Sequence, residues 1–137
     1  MRRYLLDSNA VNGFINHRDP LFERVREARL RGDRIGTCEP VIAELYFGLE
    51  FSSSRDVNIQ RLNRGLAQLR SWPFDRAAAR QCALIMADLQ RRGEPIQMVD
   101  MMLAAIALAL GNTTVVTSDS DLLRITGLNV ENWADAK

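Results

Sequence analysis

The sequence contains few of the residues that enzymes use for zinc binding or nucleophilic chemistry. It has one histidine, His17, and two cysteines, Cys38 and Cys82, far apart in the chain. A zinc site of the usual type needs three or four such ligands, and a Ser-His-Asp or Cys-His arrangement needs a well-placed histidine. Both classes are therefore excluded. The cysteines have apolar neighbours and are expected to be reduced and buried, with a disulfide between them as the alternative.

Phosphate-binding loops and long apolar segments are also missing. There is no Gly-x-Gly-x-x-Gly and no Walker A motif. The longest uncharged run, residues 101–118, contains Gly111, Asn112 and three threonines, so it is too polar for a membrane span. The apolar stretch near the N-terminus is too short for a signal peptide. These features predict a cytoplasmic protein.

Length and composition indicate one ordinary domain. The chain has 137 residues, of which 47% are hydrophobic and 26% charged, and we expect a single domain over 1–137. The formal net charge is +1, but the charges are unevenly distributed. Residues 55–92 hold eight arginines against three aspartates. This excess indicates either phosphate contacts or no more than genomic composition; the candidates for phosphate contact are Arg55, Arg61, Arg64, Arg70, Arg76 and Arg80.

Strand and helix patterns alternate along the chain. Short strands are predicted over 3–6, 34–37, 72–74, 114–117 and 128–130. Helices are predicted over about 10–16 (with Asn9 as the cap), 19–31, 39–51, 57–69, 75–91 (with Asp75 as the cap) and 99–110. This alternation predicts an α/β fold with a parallel sheet and helices on both faces.

Four acidic residues occupy positions that ordinary surface charge does not explain. Asp7 and Asp119 each follow a predicted strand, and ligands of such sheets bind at the carboxyl ends of the strands. Glu44 and Asp100 lie in apolar helical segments with no basic residue at helical contact distance, and an unpaired buried carboxylate is costly. Each of these two acids, considered alone, has an alternative explanation. For Glu44 it is an ion pair with a distant arginine. For Asp100 it is an ordinary acid at a helix N-terminus, where the helix dipole favours a negative charge.

Together the four acids indicate a site for a hard divalent cation. Ligation by oxygen alone selects Mg²⁺ or Mn²⁺, and four clustered carboxylates repel strongly unless a cation offsets their charge.

The acidic segments, in their order and spacing, resemble those of PIN-domain ribonucleases, and the end of the chain is similar to that of the VapC toxins in that family. The matching segments are YLLDSNA at 4–10, PVIAELYFG at 40–48, PIQMVDMMLAA at 95–105, VVTSDSDL at 115–122 and GLNVENW at 127–133. The resemblance implies a three-layer α/β/α fold with a central, mostly parallel sheet. It also implies the toxin of a type II toxin–antitoxin (VapBC) system.

The resemblance further implies an activity, a cofactor and partners. The activity is Mg²⁺- or Mn²⁺-dependent endonucleolytic cleavage of RNA, tRNA included, by a metal-activated water. Asp7, Asp100 and Asp119 would bind the metal, and Glu44 would bind a second metal or orient the water. Asn9 and Thr117 are supporting residues that would hydrogen-bond to the carboxylates or to a metal-bound water; Asn9 as a helix cap and Thr117 as a plain strand residue are the alternatives. Asp121 is a second candidate for the role of Asp119.

A VapB-like antitoxin and a homodimer are the implied protein partners. The apolar candidates for the antitoxin groove are Val11, Phe14, Ile15, Tyr46 and Phe47, of which Phe14 and Phe47 fit the core better. A catalytically silent PIN-fold module that binds protein or RNA is the alternative function. A phosphotransfer enzyme of the haloacid-dehalogenase type would need a second aspartate two residues after Asp7, where this chain has Asn9. A receiver domain would need a late catalytic lysine, and the only lysine is the last residue, Lys137.

Overall fold

A computed structural model describes residues 1–135, and Ala136 and Lys137, the end of the predicted domain, lie outside the described residues. Five strands form one sheet in the order β3-β2-β1-β4-β5, and every pairing is parallel. The predicted parallel sheet is therefore confirmed. The strands are β1 Arg3–Leu6, β2 Arg34–Cys38, β3 Arg70–Trp72, β4 Thr113–Val116 and β5 Asn129–Glu131.

Helices cover the sheet in a three-layer α/β/α arrangement. They are α1 Ser8–Ile15, α2 Leu21–Leu30, α3 Glu39–Leu49, α4 Arg55–Leu66, α5 Arg76–Arg92 and α6 Met98–Leu110. A short 3₁₀ helix, Ser120–Arg124, follows β4 and was not predicted. In the part of the chain that the structure describes, no helix is long and apolar enough to span a membrane.

The core forms around the two central strands. Leu5, Leu6, Val115 and Val116 are almost completely buried, because β1 and β4 have neighbours on both sides and helices on both faces. In β1 and β4, Leu6 pairs with Val116. This register fixes the point at which both strands end and aligns the residues that follow them.

The helix starts include one wrong prediction and one confirmed prediction. Asp7, not Asn9, caps α1: its Oδ1 accepts the N–H of Ala10 at 2.8 Å. Asp75 caps α5 as predicted, with its side chain accepting the N–H of Ala78.

Helices α1 and α4 approach each other closely. A Cβ at Gly65 of α4 would overlap the side chain of Ile15 on α1. Glycine is therefore needed there for the close approach rather than for its backbone freedom. The contact keeps α4 beside the C-terminal end of α1, the helix that begins directly after Asp7. Cys38 and Cys82 are both buried and free.

Candidate active site

Asp7 is the most constrained acid of the candidate site. It follows β1 directly and is only 6% exposed. Its Oδ1 accepts the Ala10 N–H, and its Oδ2 accepts the hydroxyl proton of Thr117 at 2.5 Å. Both carboxylate oxygens thus have a partner, as a buried carboxylate requires.

Thr117 connects two of the predicted acids. Its hydroxyl donates to Asp7 and accepts the backbone N–H of Asp119 at 2.9 Å. The predicted hydrogen bond from Thr117 to a carboxylate is therefore present. Asp7 and Asp119, which are far apart in sequence, lie on either side of one hydroxyl group at the carboxyl end of the sheet.

The same region distinguishes Asp119 from Asp121. Asp121 forms an ion pair with Arg124 at 3.3 Å, and its backbone N–H donates to Asp119 Oδ1 at 2.9 Å. Asp119 has no basic partner within residues 1–135, and its backbone N–H donates a hydrogen bond to the Thr117 hydroxyl. The geometry favours Asp119 over Asp121 as the acid that acts together with Asp7.

Glu44 and Asp100 are partly buried acids without a cation. Within residues 1–135 neither carboxylate accepts a hydrogen bond or pairs with an arginine, whereas the eight ion pairs of that region all use other acids. The alternative for Glu44, an ion pair with a distant arginine, is absent from this part of the chain. Asp100 lies in the first turn of α6, which agrees with its own alternative explanation, an acid favoured at a helix N-terminus.

The four acids interact electrostatically. Burial raises the pKa of Asp7, with a smaller upward contribution from Asp119 and Glu44, against the lowering effect of the Thr117 and Ala10 hydrogen bonds. Burial also raises the pKa of Asp100 to about 6, and the negative charges of the other three acids and of Asp121 add to that rise. Each perturbation by a neighbouring charge favours the protonated acid, which is the signature of carboxylates that share a small volume.

This donor set fits a hard divalent cation chemically. All the groups are carboxylate oxygens, and no arginine neutralises them within residues 1–135. The side chains do not form a ready-made ligand cluster: no three acidic, His or Cys side chains in residues 1–135 are arranged to hold a metal ion. Glu44 and Asp100 have no side-chain hydrogen bond to hold them in place, so their rotamers can change when a cation offsets the repulsion. Their assignment as metal ligands stays a prediction.

Two cavities flank α1 at this edge of the sheet. The first, here called the Asp7 cavity, has a volume of about 540 Å³ and is lined by Asp7, Asn9, Ala10, Asn12, Gly13, Asn16, Arg18, Asp19, Leu21, Val116, Thr117, Ser118, Asn132, Trp133 and Ala134. The second, the Glu44 cavity, has a volume of about 340 Å³. Glu44 and Arg61 line it from opposite helices, and Asn12 and Asn16 line both cavities.

Several supporting predictions need correction. Asn9 lines the Asp7 cavity but forms no side-chain hydrogen bond to a carboxylate among the described residues. Val11 and Phe14 are buried and belong to the core. Phe47 was expected in the core, but it is 67% exposed. Among the arginines, Arg55 is occupied by ion pairs with Glu50 and Asp56.

Asn12 and Asn16 were not among the predicted site residues, and Arg61 was predicted only as one of six arginine candidates for phosphate contact. The spacing of Asn9, Asn12 and Asn16, three asparagines on one helical face, was a detectable signal. The position of Arg61 across a cavity from Glu44 was not detectable, since it depends on the packing of α4 against α1 and α3.

Comparison with known proteins supports the assignment of the whole chain. The family profile described as PIN domain matches residues 4–128. The chain is 28% identical over 134 residues to the tRNA(fMet)-specific endonuclease VapC of Salmonella typhimurium, covering 97% of this chain and 99% of that protein. It is 26% identical over 130 residues to ribonuclease VapC2 of Rickettsia felis, covering 95% and 97% respectively.

Solved structures give the same result. The crystal structure of VapBC2 from Rickettsia felis bound to a promoter DNA fragment matches with a TM-score of 0.88 and 27% identity, covering 96% of this chain and 98% of that chain. DNA-bound VapBC from Salmonella typhimurium also matches with a TM-score of 0.88, at 28% identity and with coverage of 97% and 99%.

Proposed function

The chain belongs to the PIN-domain family, and on that premise we propose that it is an endoribonuclease and the toxin of a type II toxin–antitoxin pair. The whole chain, 1–137, would act as one PIN domain in the cytoplasm. The observation that carries the proposal is the set of four acids at one edge of the sheet, none of which has a basic partner within residues 1–135. The relatives named as ribonucleases, matched along almost their full length, support the same activity.

The proposed site residues are Asp7, Glu44, Asp100 and Asp119. Asp7, Asp100 and Asp119 would hold Mg²⁺ or Mn²⁺, and Glu44 would hold a second ion or orient the attacking water. When bound, such an ion lowers the pKa of a water molecule and offsets charge on the phosphate oxygens. Thr117 orients Asp7 by donating to its Oδ2, and this hydrogen bond lowers the pKa of Asp7 against the larger rise that burial causes.

The reaction is hydrolysis of an RNA phosphodiester bond. A water oxygen bonds to phosphorus, the bond from phosphorus to the 3′ oxygen breaks, and the leaving oxygen takes a proton. The products are a 5′-phosphate end and a 3′-hydroxyl end. Because one curated relative is named as specific for tRNA(fMet), tRNA is the first substrate class to test.

The proposed partners are a VapB-like antitoxin and a second copy of this chain. The VapBC structures that match this chain support the antitoxin. Phe47 and Phe51, which are 67% and 85% exposed, stack edge to face at 5.9 Å and offer an apolar anchor one turn beyond Glu44. We also propose that the chain forms a homodimer with a second copy of itself. The mass of the purified chain in solution tests this.

The experiment is cleavage of a purified tRNA mixture by the purified chain in Mg²⁺, in Mn²⁺ and in EDTA. We expect cleavage only with a divalent ion, and Asp7→Asn, Asp100→Asn and Asp119→Asn to lower the rate by about 100-fold or more. Asp121→Asn and the matched surface control Asp56→Asn should change it by about twofold or less. Cleavage by none of these proteins under any condition would instead support a silent binding module.

A further inference from the structure

The Asp7 cavity has a wall of asparagine side chains. Asn9, Asn12 and Asn16 are spaced i, i+3 and i+7 along α1, so they lie on one face of the helix, and all three line the cavity. We call them the asparagine face. Each is exposed, and among the described residues none uses its side chain in a hydrogen bond. Their amide groups are therefore available to a ligand.

The opposite wall of the cavity is held in place. Asn132 Oδ1 accepts the N–H of Ala134 at 2.9 Å, and Asn132 Nδ2 donates to Asp135 at 2.8 Å. The Asn132 amide is thus engaged within the protein, whereas the amides of the asparagine face are free. The asparagine face can therefore bond to a ligand in the cavity.

Buried apolar side chains form part of the cavity lining. They belong to Leu21, Val116 and Trp133, and each is at most 5% exposed. An apolar base with a few converging polar groups is the usual composition of a small-molecule site, and about 540 Å³ is within the usual range for one. Because the apolar side chains lie below the surface, they offer little to the side chains of a docked protein segment.

The charge of the lining selects the kind of ligand. Asp7 and Asp19 carry two negative charges and Arg18 one positive charge, so the lining is net negative and unfavourable for a phosphate. Amide groups are neutral and provide a donor and an acceptor side by side, which matches the edge of a nucleobase. Unpaired RNA bases are recognised through such edges.

We propose that the Asp7 cavity binds one unpaired nucleobase beside the scissile phosphate and that the asparagine face determines which base is accepted. This inference rests on the proposed function, because Asp7 belongs both to the cavity and to the cleavage site. The phosphate then stays at the mouth of the cavity, by the carboxylates. Asn9 lies nearest in sequence to Asp7, and Asn12 and Asn16 lie one and two turns further along α1.

The test is binding of short single-stranded RNAs that differ in one base. The protein is the full chain with Asp100→Asn, kept in EDTA so that the RNA stays intact. We expect the dissociation constant to vary by about fivefold or more with the base at one position, the discrimination typical of a bidentate amide contact. Asn9→Ala, Asn12→Ala or Asn16→Ala, added to this background, should reduce that variation to less than about twofold.

Asn129→Ala is the matched control. Asn129 is an exposed asparagine at the start of β5, at the amino end of the strands and thus away from the carboxyl ends that carry Asp7 and Thr117, and its replacement should leave the base preference unchanged. Inside α1, at positions 9 and 12, the substitutions replace asparagine by the best helix former, and Asn16 is the C-cap just beyond the helix. Loss of the helix therefore does not explain a loss of preference. Equal binding of all four bases, or a preference that survives all three α1 substitutions, would overturn the inference.

Cleavage mapping separates this inference from the proposed function. If the wild type cuts RNA and each asparagine variant cuts at the same bases, the inference is wrong and the nuclease stands. If the wild type does not cut but base-dependent binding is lost in the variants, the proposed function is wrong and the cavity assignment stands. If the variants lose only the binding of a protein partner, the cavity is a protein-docking site and the inference fails.

Discussion

Thr117 and Asp7 are joined across the ends of two neighbouring parallel strands by a hydrogen bond from Thr117 Oγ1 to Asp7 Oδ2. The register that pairs Leu6 with Val116 places the two residues side by side. The same hydroxyl accepts the N–H of Asp119. One threonine therefore sets the orientation of one acid and the backbone position of another.

Replacing Thr117 by valine tests this relationship. The shape is kept but the donor is lost, so Asp7 Oδ2 is left buried without a partner. We expect the free energy of unfolding to fall by about 1–3 kcal/mol. The pKa of Asp7 should rise further, because the Thr117 hydrogen bond lowers it, and the rise of cleavage with pH should move to higher pH.

Serine at position 117 and valine at position 113 are the controls. Thr117→Ser keeps the hydroxyl and should restore the cleavage rate and its pH profile. Thr113 is also a buried threonine of β4, but its hydroxyl donates to the carbonyl of Gly111 at 2.8 Å, away from the acids. If Thr113→Val shifted the pH profile as much as Thr117→Val, the special role of Thr117 would be disproved.

Asp100 should make the metal-free protein less stable at neutral pH. Its pKa is about 6 in the folded chain and about 3.9 when unfolded. The folded state thus holds the proton more tightly, and the stability that this proton provides is lost as the pH rises through about 6. In EDTA at pH 7, Asp100→Asn should be more stable than the wild type by about 1 kcal/mol, after a discount for solvent screening.

The difference between the two proteins should disappear near pH 3, below the unfolded pKa of about 3.9, where Asp100 is protonated in both states of the wild type. Denaturant unfolding at pH 3 and pH 7 measures it, with Asp56→Asn as the surface control. Added Mg²⁺ should stabilise the wild type more than Asp100→Asn. A variant less stable than the wild type at pH 7 would indicate that Asp100 has a structural partner instead.

Arg61 is the arginine most directly placed to contact RNA. It lines the Glu44 cavity and forms no ion pair within residues 1–135, unlike Arg55. We expect Arg61→Gln to weaken single-stranded RNA binding and to reduce the slope of log K against log salt by about 0.7, the value of one phosphate contact. Arg34→Gln, at the amino end of β2, is the control. If both variants reduced the salt slope equally, the slope would reflect the overall charge of the protein and not a contact made by Arg61.

The exposed pair Phe47 and Phe51 should anchor the antitoxin. Phe47→Ala removes an exposed ring, so it should leave the stability of the free chain nearly unchanged. Binding of the co-expressed small partner should weaken by about 30-fold or more, as for an aromatic interface residue. Leu123→Ala is the control, since Leu123 is also strongly exposed, at 70%, but lies on the 3₁₀ helix.

The Phe47 variant is a better test than Tyr46→Ala. Tyr46 donates its hydroxyl to Asn63 and so connects α3 to α4, and its removal would disturb both helices. Unchanged partner binding in Phe47→Ala and Phe51→Ala would show that the antitoxin docks elsewhere.

Much of the fold followed from the sequence because the central strands are short runs of apolar and β-branched residues. Leu5 and Leu6 predict β1, and the β-branched run at 114–117 predicts β4. Two acids directly after two such strands had to lie at one edge of a parallel sheet. The position of Asp7 and Asp119 was therefore predictable without knowledge of the strand order.

Other features depend on tertiary packing that local patterns do not encode. Asp7 and Asn9 are both good helix caps, and only the exact end of β1 decides between them. Phe47 looks like a core residue because its neighbours are apolar, yet it is exposed, whereas Tyr46 and Leu49 of the same turn pack against the core. The two cavities require the crossing of α1 with α2 and α4, which no periodicity shows.

The most direct test of the proposed nuclease is to sequence RNA 5′ ends after brief expression of the chain. The wild type should generate new 5′-phosphate ends at a small number of defined positions, most of them in tRNA. Asp7→Asn and Asp119→Asn should generate none, while Asp56→Asn should reproduce the wild-type ends. If the wild type generated no new ends, or if the same ends appeared with Asp7→Asn, the chain would not be a nuclease that uses these carboxylates.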